Sequence, residues 1–325
     1  MRGTHQVIVR NNRVQFKFEV SRNITIVRGD SATGKTTLIG MIADYERNGA
    51  ASGIELFCDV PCVILEGPRW KRDLSFIHGS IVFVDEGNAF TSSHDFARAV
   101  RDSDNHYVIA TRESLFSLPY SVSEVYGIRN SGRSSSRYPQ VSRLYSTFYQ
   151  IYDLNPSAPF IPELVVVEDS NAGFEFFSEL FSQVGIPCVS AGGKGNVCRT
   201  VKDASEQSIL VIADGAAFGP EMEGATSLGA YKRVRLFLPE SFEWLVLNSG
   251  LIGGSDVADA LANPSDHIES RDFFSWERFF TAFLVGKTRG TYLQYEKRAL
   301  NPAYLQDREM GAIKGEMPKD IGVSL

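Results

Sequence analysis

Cysteine is scarce in this chain, with four in 325 residues, too few to staple a protein of this length and so excluding a disulfide scaffold. Cys58 and Cys62 are close in sequence, but no second pair or nearby histidine completes a zinc site. Reduced thiols are expected. Long apolar runs are also missing. None approaches the ~18 residues of a membrane span, and no basic start leads into an apolar stretch of signal length. A soluble, cytoplasmic protein without membrane contact is therefore expected. Positive charge is not in excess either. The formal net charge is -6, so any contact with nucleic acid has to rest on a local patch. No repeat of solenoid type is present.

What remains is a chain with 43% hydrophobic residues, enough for ordinary cores, at about twice the length of a typical domain. Residues 6–9 and 14–20 alternate apolar and polar side chains around Asn11–Asn12 and read as a hairpin, followed by a buried strand at 24–27. A helix is expected over 36–47, closed by Asn48 and Gly49. Short strands at 54–57, 62–65, 81–84 and 107–110, with a helix at 93–101, continue an alternation that implies helices around a parallel sheet. Regularity fails over 117–162. There Arg129, Arg133, Arg137 and Arg143 are interleaved with tyrosines and no acid between 127 and 150, and a proline-rich stretch closes the segment. Strands at 164–167, 187–190, 209–213 and 234–238 then alternate with helices at 172–184, 197–204 and 221–228, giving a second α/β domain. Aromatic-rich helical stretches are expected at 273–283 and 292–304.

The most informative segment is Gly29-Asp30-Ser31-Ala32-Thr33-Gly34-Lys35-Thr36, which fits G-x-x-x-x-G-K-[ST] between a strand and a helix. Gly29 and Gly34 let the backbone curl so that successive N–H groups point at phosphate oxygens, and the helix adds its positive end. Residues 29–37, with Thr37 in the first turn, are the expected nucleotide cradle. Lys35 reaches the terminal phosphates, and the Thr36 hydroxyl is a Mg²⁺ ligand. The strand at 81–84 delivers Asp85 and Glu86 at its carboxyl end. This arrangement resembles the P-loop NTPases that carry an added catalytic glutamate. The resemblance implies that Asp85 holds Mg²⁺ and that Glu86 polarises an attacking water, with ATP as substrate. Thr111 and Arg112, after the strand at 107–110, stand where a γ-phosphate sensor belongs. The Leu-Ser-Gly-Gly run of ABC-type ATPases is absent.

In the second half, Leu164-Val-Val-Val-Glu168-Asp169 and Ile209-Leu-Val-Ile-Ala-Asp214 each end a buried strand in acid. Two carboxylates at neighbouring strand ends suit Mg²⁺. Glu168, followed by Asp214-Gly-Ala-Ala-Phe-Gly219, resembles the glutamate and D-x-D-x-x-G of TOPRIM domains, found in topoisomerases, bacterial primases and OLD-family nucleases. Ala216 stands where the second aspartate of that pattern belongs, and Asp169 replaces its glycine. One metal of a pair is lost unless Asp169, Glu221 or Glu223 substitutes. A response-regulator receiver is the competing resemblance. It needs a Ser or Thr after the fourth strand, which ends in Leu238-Pro239-Glu240, and a lysine after the fifth, and residues 244–251 have no lysine.

The expected organisation is a P-loop NTPase three-layer α/β domain (1–117), an Arg/Ser-rich loop and linker (118–162), a smaller TOPRIM-like domain (163–254) and a helical C-terminal extension (255–325). The expected function is an ATPase with a degenerate TOPRIM-like domain, in nucleic-acid processing or defence against foreign DNA. The alternatives are an ATP-controlled, Mg²⁺-dependent nuclease, a nucleotide switch recruiting a partner, and more distantly a small-molecule kinase. A homo-oligomer or a protein partner fits any of these.

Overall fold

In a computed structural model of the chain, residues 1–29, 34–133, 143–152 and 158–322 are described. The chain divides into two compact units. One comprises Met1–Tyr152 and Pro264–Ser275, the other Asp153–Asn263 and Trp276–Leu325.

The first unit is built on nine strands: β1 (His5–Arg10), β2 (Val14–Val20), β3 (Ile24–Val27), β4 (Glu55–Phe57), β5 (Cys62–Ile64), β6 (Ile81–Val84), β7 (His106–Ala110), β8 (Val125–Arg133) and β9 (Leu144–Gln150). Their order is β4-β1-β2-β9-β8-β3-β7-β6-β5. The five strands from β8 to β5 are parallel, while β4-β1-β2 and β9-β8 pair antiparallel. The runs Ile24–Val27 and Ile81–Val84 are apolar at every position because both faces of the parallel region are covered. Ile24, Ile26, Val82 and Val84 face one core with Phe96 and Val100 of the helix His94–Arg101. Val27, Ile81 and Phe83 face the other with Leu38, Met41 and Ile42 of α1 (Lys35–Asn48). Each such fully buried side chain contributes about 1.5–3 kcal/mol.

The stretch 118–162, read from the sequence as loop and linker, differs from that expectation. It supplies β8 and β9, a hairpin inside the sheet. Its apolar side chains alternate among arginines and serines, so the period-two signal was diluted. Phe148 nonetheless stacks on Phe18 of β2 with ring centroids 4.2 Å apart, and Ile128 is buried. The tail after 254 also differs from a single extension. Residues 264–275 belong to the first unit, where the Asn23 side chain donates to the carbonyls of Ser270 and Phe273 at 3.2 and 2.8 Å.

A histidine in this unit has a testable consequence. His106 is buried, and its Nδ1 has no hydrogen-bond partner among the described residues. Burial pushes the imidazole down to about 3. Below about pH 6.5 the unfolded chain takes up a proton that the folded one refuses. Stability is therefore full above that pH and falls as pH drops toward 3, by up to about 1.4 kcal/mol per pH unit. Denaturant unfolding at pH 7 and pH 5 is expected to show this slope in the wild type and a flatter one in His106→Gln.

The second unit holds four parallel strands, β10 (Leu164–Val167), β11 (Cys188–Ser190), β12 (Ser208–Ile212) and β13 (Arg233–Phe237), in the order β11-β10-β12-β13. The order reverses between β10 and β12, and ligands of open α/β sheets collect outside the carboxyl ends at such a point. Phe176, Phe177, Leu180 and Phe181 of the helix Ala172–Ser182 fill its core. Residues 292–304, expected to be helical, form turns and a short 3₁₀ segment, Pro302–Leu305. The proline after Asn301 starts a new turn rather than continuing a helix.

Candidate functional site

Parallel pairing places the carboxyl ends of β3, β7 and β6 on one rim of the first sheet. Gly29 follows β3 with φ +145°, and Gly34 precedes α1 with φ +102°, backbone that L side chains rarely adopt. Gly34 is the N-cap of α1; among the described residues no side chain caps the helix, and no acid sits in its first turn. The N–H groups and positive end of a helix start suit an anionic partner. Asp30, Ser31, Ala32 and Thr33, the middle of the expected cradle, lie outside the described residues, as does Arg137.

Lys35 is buried, and its Nζ donates to the carbonyl of Gly29. The same ammonium is 3.2 Å from Glu86 Oε2. Strand β7 lies between the strands that carry these two motifs, so the side chains meet across the width of one strand. Arg112, at the end of β7, closes on Glu86 as well, with Nη2 2.9 Å from Oε1 and Nε 3.3 Å from Oε2. Arg112 first and then Lys35 hold the Glu86 carboxyl below the usual range. Asp85 is shifted the other way, upward, by burial and by the Glu86 charge. Its Oδ1 accepts the Glu86 N–H at 2.8 Å, and Asn88 donates to its carbonyl at 3.0 Å.

Lys35, Thr36, Thr37, Glu86 and Arg112 line a cavity of about 790 Å³, within the range of small-ligand sites. Asp85 lines a neighbouring cleft of about 600 Å³ with Glu66, Arg69 and Asp73, and Glu86 borders both. Thr36 and Asp85, the two expected Mg²⁺ ligands, are therefore on the walls of adjoining spaces. The Thr111 hydroxyl is engaged within its own turn. Its Oγ1 accepts the Glu113 N–H at 3.0 Å and donates to the Glu113 carbonyl at 3.2 Å.

In the second unit Glu168 and Asp214 do meet. The Asp214 N–H donates to Glu168 Oε2 at 3.0 Å. Burial pushes Glu168 up to about 7 and Asp214 well above the carboxylate range, with Glu277 and Glu168 adding to the Asp214 shift. Asp169 is committed elsewhere. Its carboxylate accepts from Ser170, Asn171 and Gly173, bracing the start of the helix Ala172–Ser182. Ala216 is buried, with its N–H on the Glu240 carbonyl. Lys194, in the glycine-rich stretch after β11, donates to the Ala217 carbonyl at 3.0 Å.

Three residues that the sequence did not signal join this pair: Glu243, Glu277 and Lys297. Lys297 Nζ is 2.5 Å from Glu277 Oε1 and 3.7 Å from Glu243 Oε1. Among the described residues no group of three or more His, Cys, Asp or Glu side chains is arranged to hold a metal ion. No helix among them is long and apolar enough to cross a membrane. No protein-family model matches the chain, and no curated protein is significantly similar to it.

Proposed function

We propose that the first unit binds a nucleoside triphosphate, ATP by the resemblance of its motifs, and hydrolyses it. The observation that carries this reading is the 3.2 Å approach of Lys35 Nζ to Glu86 Oε2 at the wall of a cavity that also takes in the first turn of α1. Two motifs 51 positions apart (86 minus 35) are supplied by separate strands yet converge on one space. The helix start and Lys35 supply positive potential for the phosphates. Lys35 leaves Glu86 for the phosphate oxygens when they arrive, and Glu86, released from one of its two cations, accepts the proton of an attacking water. The bond from the γ-phosphorus to the bridging oxygen breaks and one to the water oxygen forms. Arg112 is positioned to meet charge that develops on the transferred group. Thr36 and Asp85 are oxygen donors of the kind Mg²⁺ takes, and the ion, when bound, draws charge off the phosphates.

The second unit is proposed to be the TOPRIM-like part of an ATPase acting in nucleic-acid processing or defence against foreign DNA. Arg129 on β8 supports a nucleic-acid contact. It is exposed and lies over the Tyr149 ring at 5.8 Å, a cation beside an aromatic face.

Nucleotide binding tests the reading directly. Lys35→Ala is expected to weaken ATP binding by about tenfold to a hundredfold, the loss of one charge-assisted contact worth about 1.5–3 kcal/mol. Calorimetric titration of the full chain with ATP and Mg²⁺ measures it. Equal affinity in wild type and variant would remove the site from the loop.

A further inference from the structure

The resemblance of the second unit implies a divalent cation between Glu168 and Asp214. The residues present do not fit one. The space bounded by Glu168, Asp214, Glu243 and Lys297 is about 20 Å³, room for one water-sized group. A dication enters such a space only stripped of its waters and held by the side chains themselves. Glu243, Glu277 and Asp214 already have a cation in Lys297, while Lys194 acts on Glu168. The Lys297 ammonium touches Glu277 at 2.5 Å, and Glu243 at 3.7 Å is next to it. Glu243 is 1% exposed and its Oε1, which faces Lys297, also accepts the Tyr295 hydroxyl at 2.9 Å. An ammonium held this way repels a second positive ion entering the same space. A buried carboxylate ring left without a cation is strongly disfavoured.

We infer that Lys297 is the resident cation of the acidic ring at the ends of β10 and β12, occupying the role that the resemblance assigns to a metal ion. The ring therefore takes no divalent ion while Lys297 is present. Burial alone would lower this ammonium, but Glu243, Glu277 and Asp214 outweigh burial and keep it charged. Ala216 fits the same scheme, because a ring that holds one fixed lysine charge has no use for the further carboxylate of the metal-binding pattern. The inference stands on the geometry of the second unit and is independent of nucleotide hydrolysis in the first.

The experiment is a Mn²⁺ titration of the full chain without nucleotide, followed by calorimetry and by the electron paramagnetic resonance of free Mn²⁺. Wild type, Glu168→Gln, Lys297→Met and the triple variant Lys297→Met/Glu168→Gln/Asp214→Asn are compared. Wild type and Glu168→Gln are expected to bind Mn²⁺ alike. Lys297→Met is expected to gain one site at least tenfold tighter than any in wild type, and the triple variant to lose it. A Mn²⁺ site at the first unit would persist in all four and is thereby told apart. A wild-type site that Glu168→Gln removes overturns the inference, and that arm does not depend on any lysine variant folding. So does a Lys297→Met protein with wild-type circular dichroism and no gained site. Should Lys297→Met fail to fold, Lys297→Gln takes its place with the same two outcomes.

Discussion

Glu86→Gln is expected to leave ATP affinity at or above the wild-type value while lowering turnover by about 10²–10⁴-fold, the range a positioned proton acceptor contributes. The two effects separate because Glu86 has two relations to the site. Before phosphate binds, its carboxylate holds Lys35 at 3.2 Å and Arg112 at 2.9 Å. Glutamine keeps the shape but gives up the charge, so both cations are easier to draw onto phosphate, and binding does not suffer. Glutamine cannot take a proton from water, and hydrolysis slows by that factor. Phosphate release under saturating ATP, alongside equilibrium binding, distinguishes the outcomes. Hydrolysis at the wild-type rate would end the assignment of Glu86 as the base. Loss of binding together with turnover would make it a structural anchor for Lys35 instead.

The second large effect is expected at Gly215, which follows Asp214 at the end of β12. A methyl group there would stand 2.4 Å from the Leu238 carbonyl oxygen and 2.9 Å from that of Pro239. Neither side can easily give. The Gly215 N–H donates to the Pro239 carbonyl at 2.6 Å, and the flanking N–H groups of Ala213 and Ala216 donate to Phe237 and Glu240. Backbone faces backbone, so no flexible side chain absorbs the clash. Gly215→Ala is expected to cost at least about 3 kcal/mol, or roughly 6–12 °C in the melting of a unit this size. Gly253→Ala, whose added methyl meets nothing within 4 Å, serves as the control. A Gly215→Ala protein melting within 2 °C of that control would show that the strand ends separate readily.

Much of this was legible in the sequence for identifiable reasons. The runs at 24–27, 81–84, 164–167 and 209–212 are apolar at nearly every position, and only a sheet covered on both faces asks for that. The approach of Lys35 to Glu86 was legible because each follows a strand of one parallel sheet, and only β7 separates those strands. The hairpin β8–β9 was not. Its inward positions, Ile128, Ser146 and Phe148, are mixed in character, and Arg129 lies on the other face over Tyr149. Lys297 was invisible for a different reason. Its partners at 214, 243 and 277 come from three separate elements, and no local spacing records a convergence that only the tertiary fold makes.

The path of the chain between its two units carries a last consequence. It leaves the first unit after Tyr152, returns for Pro264–Ser275 and leaves again. The second unit is thus in part an excursion closed at both ends by the first. One backbone cut anywhere in 158–263 leaves fragments that each still hold pieces of both units, so nicked protein is expected to migrate as one species until it is denatured. An isolated fragment ending at 152 would also lack the carbonyls of Ser270 and Phe273 that the buried Asn23 amide requires. In evolutionary and engineering terms the two units are not modules that can be exchanged by a single splice.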